Sequence, residues 1–226
     1  MFFYYFCTQY KITRMKKRLF SLVAMMFVAL HIMSQIPAGE TERVTLFKEY
    51  APAVIELTDG SIHQQREANI FLKDASLVYK QLGKDLRANM NIVKTVFINK
   101  RQFVNLKNQL AEVIDTCSNC QLLCVKNIDV EAFKGTLLNE SDITNISLGD
   151  NIAVTRLDPD AESLKFPLVV TYYFVIGGKE VRCHERSVKL VVPKKKRSLY
   201  DACIKQYGFD WTKAEYLKKV LRVLAE

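Results

Sequence analysis

The sequence predicts a mainly β protein of the α+β class: an N-terminal small barrel or bent antiparallel sheet, then a second β-hairpin sheet covered by C-terminal helices. Three observations carry this expectation. Short runs rich in Val, Ile, Phe and Tyr succeed one another from Ala53 to Asn139, a long apolar hairpin pattern surrounds Gly177-Gly178, and helical spacing is concentrated after Pro193.

In chain order, VIELTDGSIH alternates apolar and polar residues around Asp59-Gly60, a dipeptide suited to a two-residue hairpin. ANIFL, SLVYK, IVKTVFI, RQFVNL, LAEVI and QLLCV follow, each too short and too rich in β-branched or aromatic residues for a helix. Strands so closely spaced favour a barrel or a strongly bent sheet over a parallel α/β layer. DVEAFKGTLLN, residues 129 to 139, has helical spacing interrupted by Gly135 and predicts a short helix or an irregular connection. Polar, turn-forming residues then run to Ser163. The chain therefore divides into an N-terminal extension with a signal peptide (1–34), a β-rich domain (35–140), a connection (141–163) and a β-hairpin with two helices (164–226).

The hairpin FPLVVTYYFVIGGKEVRCHERSVKLVV turns at Gly177-Gly178, which sets Val175 opposite Glu180, Tyr173 opposite Arg182, Thr171 opposite His184 and Val169 opposite Arg186. Phe174, Tyr172, Val181 and Cys183 then share a core face, and Tyr173, Arg182, His184 and Arg186 share a polar one. Lys194 to Gln206 predicts a helix. Thr212 to Glu215 predicts a capping box that opens a last helix, with Leu217, Val220, Leu221 and Leu224 on one stripe.

Compartment governs how the cysteines are read. Lys16-Lys17-Arg18 after Met15 is a basic n-region, Leu19 to Met33 is apolar apart from Ser21 and His31, and Ser34-Gln35 supplies a small residue for cleavage. This predicts a signal peptide over Met15–Ser34, with translation beginning at Met15 and export to the periplasm or cell envelope. The run is shorter than the roughly 20 residues of a permanent span, so no transmembrane anchor is expected. The formal charge of +9 includes five cations before Ser34 and no acid there, which leaves +4 from Gln35 onward. A nucleic-acid partner is not expected on that balance.

DTCSNCQLLC, residues 115 to 124, places three cysteines within eight positions. Its flanks read as strands, with Ser118-Asn119 as a two-residue loop that sets Cys117 opposite Cys120 at disulfide distance. Cys124 lies four residues on, about 13 Å away at roughly 3.3 Å per residue, too far for one ion to hold all three sulfurs. A turn-closing Cys117–Cys120 disulfide, or inert thiols, is the favoured reading. Pairing of Cys124 with Cys183 or Cys203 comes next, then metal or redox chemistry, and no metal or cofactor is expected.

Other candidate sites are sparse. Tyr173, Arg182, His184 and Arg186 suit an anionic partner, an envelope glycan or an acidic protein patch, set against the plain alternative of a solvated sheet face. Lys194, Lys195, Lys196 and Arg197 could meet phosphates or anionic lipid headgroups, although charge runs are more often simply solvated. Asp158, Asp160 and Glu162 resemble the start of a calcium loop, but Ser163 stands at its glycine position and Val169 at its final glutamate. GxSxG, HExxH, GxGxxG and P-loop patterns are all missing from the sequence.

The Ser34-Gln35 site together with ANIFLKDASLVYK and DITNISLGDNI resembles small exported proteins of Bacteroidota-type bacteria. That resemblance implies an envelope location and no particular activity. The sequence thus points to a non-enzymatic binding or structural module of the bacterial cell envelope, with a secreted hydrolase of unidentified carboxylates as the alternative.

Overall fold

Alternation along APAVIEL buries Ala51, Ala53 and Ile55 and exposes the residues between them, the pattern of a strand with one face on a core. The computed structural model describes residues 37–133 and 165–225; other strands depart from this pattern, and CQLLCVKNI is covered on both faces. The strands are β1 (Pro37–Thr41), β2 (Ala51–Leu57), β3 (Ile62–Phe71), β4 (Ser76–Gln81), β5 (Lys84–Arg87), β6 (Val93–Ile98), β7 (Arg101–Leu106), β8 (Gln109–Cys117), β9 (Cys120–Ile128), β10 (Phe166–Ile176) and β11 (Lys179–Arg182). Three helices follow, α1 (Glu185–Val191), α2 (Arg197–Ile204) and α3 (Ala214–Ala225), with a 3-10 turn at Lys194–Lys196 before α2.

All eleven described strands join one antiparallel sheet in the order β1-β10-β9-β8-β7-β6-β2-β3-β4-β5, with β11 on the same edge of β10 as β1. The sheet is open and bent, not a closed barrel. Register shifts at Ala51/Ala53, Glu56/Leu57 and Val113/Asp115 place bulges where the bend is needed. The bend carries the β3–β4 turn onto β8 and β9: Leu110 N–H donates to Ala75 O at 2.7 Å and Ile128 N–H to Leu72 O at 2.8 Å.

Two features of the sequence reading need correction. The C-terminal hairpin is not a second sheet, since β10 pairs with β9 from Leu168 to Ile176 and so continues the first one. The expected division between 35–140 and 164–226 is therefore not a division of the sheet. The Asp59-Gly60 turn is also longer than two residues: Glu56 pairs with Ile62, and the loop closes through Leu57 N–H donating to Ser61 O at 2.9 Å. Residues 130–133 are helical, as the spacing of DVEAF suggests. The signal-like segment and the connection from Asn139 to Ser163, including Asp158, Asp160 and Glu162, lie outside the described residues.

Both faces of the C-terminal half of the sheet are covered. On one face Leu122, Phe174, Val181 and Cys183 pack against Val188, Tyr200 and the α3 stripe of Leu217, Val220, Leu221 and Leu224. On the other, Leu106, Ala111, Leu123 and Val125 pack beneath Ala75 of the β3–β4 turn. A third cluster, built on Ile55, Ile70, Val96 and Phe103, fills the N-terminal half. Thr212 hydroxyl donates to Asp210 Oδ1 at 2.7 Å, so Asp210 organises the entry to α3 that the capping-box pattern assigned to Thr212.

Candidate functional site

Gly177 and Gly178 take φ of 55° and 78°, a turn that L side chains seldom tolerate at both positions, and this fixes the hairpin register. Tyr173 pairs with Arg182 and Val175 with Glu180, as the alternation predicts. Two residues farther on, the expectation fails. β11 ends at Arg182 because Val169 already pairs with Pro37 of β1, which occupies the edge that a longer β11 would need. The chain leaves the sheet at Cys183, whose N–H donates to Tyr172 O at 2.9 Å, and turns into α1.

His184 is consequently the N-cap of α1, not a sheet residue. Its extended backbone (φ −145°, ψ 141°) and its Nδ1, which accepts from Arg186 N–H at 3.3 Å, satisfy one of the helix's unpaired donors. Arg186 lies exposed in the first turn of that helix. Tyr173 and Arg182 therefore share a face, and His184 and Arg186 do not join them. Nor is that face open: Tyr173 and Val175 pack against Leu106, Leu123 and Val125. Its charged rim is Lys107 with Glu180, whose Nζ and Oε2 lie 2.9 Å apart, and this contact raises the ammonium's pKa.

The opposite face holds a polar cluster that the sequence reading missed. Arg101 of β7 grips Glu112 of β8 with two N–H donors while its guanidinium lies over the Phe47 and Phe103 rings at 5.2 and 5.3 Å. Glu112 pairs across the ladder with Cys124, and Cys124 with Tyr172. Cys183 flanks Tyr172 on its other side. A legible signal existed in the β7–β8 register, but the turn that sets it, Lys107-Asn108, carries positive φ at both residues without a glycine.

Cys117 and Cys120 are register partners across Ser118-Asn119, with Ser118 at φ 50°, so the expected turn is in place. The five cysteines among the described residues are free thiols, and Cys117 is the half-buried one. Burial pushes the Cys124 thiol up to about 11 and raises Cys120, Cys183 and Cys203 as well. A protonated thiol is a poor nucleophile and a poor metal ligand. Among the described residues, no three His, Cys, Asp or Glu side chains are grouped to hold a metal ion.

Tyr172 and Tyr200 are also raised to about 12, in each case first by burial. All these groups release their protons more readily from the unfolded chain, where the usual values are near 9 for Cys and 10 for Tyr. Stability should thus be complete below about pH 9 and fall as pH rises from there through about 12. Urea unfolding at stepped alkaline pH measures it; a flat profile to pH 11 would show that the thiols and phenols are not shielded.

One Ser–His contact bears on hydrolytic chemistry. Ser61 hydroxyl donates to Asp59 Oδ1 at 2.7 Å and lies 3.4 Å from His63 Nε2. In a nucleophilic triad the histidine stands between serine and aspartate and takes the serine proton. Here Ser61 stands between the other two, on an exposed turn, and its proton points at Asp59. The arrangement caps the β2–β3 loop. A shallow polar depression at Glu40, Thr41, Glu42, Arg43 and Lys165 offers one long contact, Lys165 Nζ to Glu40 Oε2 at 3.9 Å.

The strongest electrostatic feature is segregation of charge. Residues 185–225, the helical end, carry eleven Lys and Arg against four Asp and Glu, a net +7, whereas residues 35–184 carry seventeen against nineteen, a net −2. Among the described residues, no helix is long and apolar enough to cross a membrane. No family model, no curated protein and no solved structure matches the chain.

Proposed function

We propose that the protein is an exported, non-enzymatic binding module of the bacterial cell envelope that engages an anionic component through its helical end. The observation that carries this reading is the net +7 on residues 185–225, against fifteen cations and thirteen acids over the described sheet region, residues 37–133 and 165–184. Such a separation orients the molecule in the field of an anionic partner and speeds encounter with it. The signal-like N-terminus supports an envelope location, and the buried, protonated thiols and the cap-like Asp59–Ser61–His63 arrangement favour binding over hydrolysis. Tyr173 and Arg182 contribute as supports of the hairpin, while Arg186 lies on the basic end itself.

Fractionation of native cells tests this. The chain should be recovered with the envelope, with an N-terminus near Gln35, and should be released as salt rises because exposed charges are screened beyond about 10 Å at 0.1 M ionic strength. The paired substitution R186S/K189S should weaken retention while leaving stability within about 0.5 kcal/mol, as expected for exposed positions. Recovery from cytoplasm with Met1 or Met15 intact, or retention indifferent to salt, would overturn the reading.

A further inference from the structure

The basic end is not uniform. Between Glu185 and Asp201, residues 186–200 hold six cations and no acid. Lys196 is committed to the fold: its Nζ donates to Leu224 O at 2.9 Å and closes the C-terminal turn of α3. Arg186, Lys189, Lys194, Lys195 and Arg197 are exposed, and none of the five forms an ion pair among the described residues.

Apolar side chains stand among these cations. Leu190 is 86% exposed, Leu199 54% and Val191 38%, while Val188, Val192 and Tyr200 of the same segment are buried and hold it to the core beneath. Anchored on one side and facing water on the other, the segment presents leucines and ammonium groups together. Single exposed apolar residues are ordinary on protein surfaces; three within ten residues, interleaved with cations that form no ion pair among the described residues, are the composition of an interfacial membrane contact.

We infer that residues 186–200 dock the protein on an anionic phospholipid surface, with the five cations at the headgroups and Leu190 and Leu199 entering the acyl boundary. The inference rests on the proposed anionic-partner reading and names the partner. An envelope glycan suits the segment less well: its one aromatic side chain, Tyr200, is 1% exposed and gives a sugar ring no platform, and a hydrated polymer offers the leucines no apolar phase. A bilayer satisfies both parts of the surface at once.

Co-sedimentation of the chain beginning at Gln35 with vesicles tests the docking; the described elements belong to one compact unit, Ile36–Glu226, so this chain retains the surface. Phosphatidylcholine vesicles containing one-quarter phosphatidylglycerol should bind it, and pure phosphatidylcholine should not. Each cation near such a surface is worth about five-fold in partitioning, so K194S/K195S should lower it about 25-fold. L190S/L199S should lower it by about ten-fold through lost apolar insertion. The charge-matched control K48S/K84S, at exposed positions far along the chain, should bind as the parent does. Equal binding by the parent and K194S/K195S would overturn the inference. So would binding to soluble poly-glutamate without binding to the anionic vesicles, which would assign the segment to an acidic protein. If vesicle binding holds while cell fractionation places the chain in cytoplasm, the envelope reading falls and this surface stands; if the chain is enveloped but ignores the vesicles, only the lipid assignment falls.

Discussion

Replacing Phe174 with Ala should destabilise the protein by about 3–5 kcal/mol, the largest effect expected of any single substitution considered for this fold. Phe174 is fully buried at the centre of β10, opposite Val181 of β11 and Leu122 of β9. Its ring belongs to the cluster that α1, α2 and α3 cover, so truncation leaves a cavity between sheet and helices that neither layer can close without moving the other. Equilibrium urea unfolding followed by far-UV circular dichroism reads the cost. A loss below about 1.5 kcal/mol would show that the helices do not rest on the hairpin as described, since that is the range of volume-conserving changes.

Glu112→Ala should cost about 2–4 kcal/mol. Glu112 keeps 15% of its side-chain surface exposed, and its carboxylate accepts both donors of Arg101. Removing it strands a guanidinium over two aromatic rings with its fork unpaired, and an uncompensated, largely desolvated charge is costlier than the pair itself was stabilising. The double variant R101M/E112L separates these contributions. It removes both charges and keeps the volume, so it should recover at least half of the loss, whereas simple additivity would make it worse than either single change. Failure to recover would mean that the pair also orders Cys124 and Tyr172 beyond it.

Much of this architecture is legible in local pattern. The runs ANIFL, SLVYK, IVKTVFI, RQFVNL, LAEVI and QLLCV fall in strands apart from the end residues Leu72 and Ile92, which lie in turns, and the α3 stripe is buried as its spacing predicts. Those features depend on the pleat and on the 3.6-residue turn, which act within a few residues. Strands β1 and β5 escaped notice for a related reason: PAGET and KDLR carry no alternating apolar face, and each is defined by the neighbour it pairs with. The turns at Leu82-Gly83, Asn99-Lys100 and Lys107-Asn108 likewise place Leu and Lys at positive φ, a conformation the flanking ladders impose against local preference.

The C-terminal hairpin separates what the sequence by itself determined from what only the tertiary structure decided. Alternation around two glycines set Tyr173 opposite Arg182 and Val175 opposite Glu180, because register propagates from a tight turn through adjacent pairs. It could not decide where β11 stops, since that depends on Pro37–Thr41, a strand some 130 residues earlier that takes the edge at Val169 and leaves His184 as the N-cap of a helix with Arg186 in its first turn. Nor could it decide which face of β10 meets water. Bulges far along the chain bend the sheet until Ala75 covers the Tyr173 face, while the helices cover the Phe174 face, so the burial of both is a property of contacts between distant segments and not of the pattern within either strand.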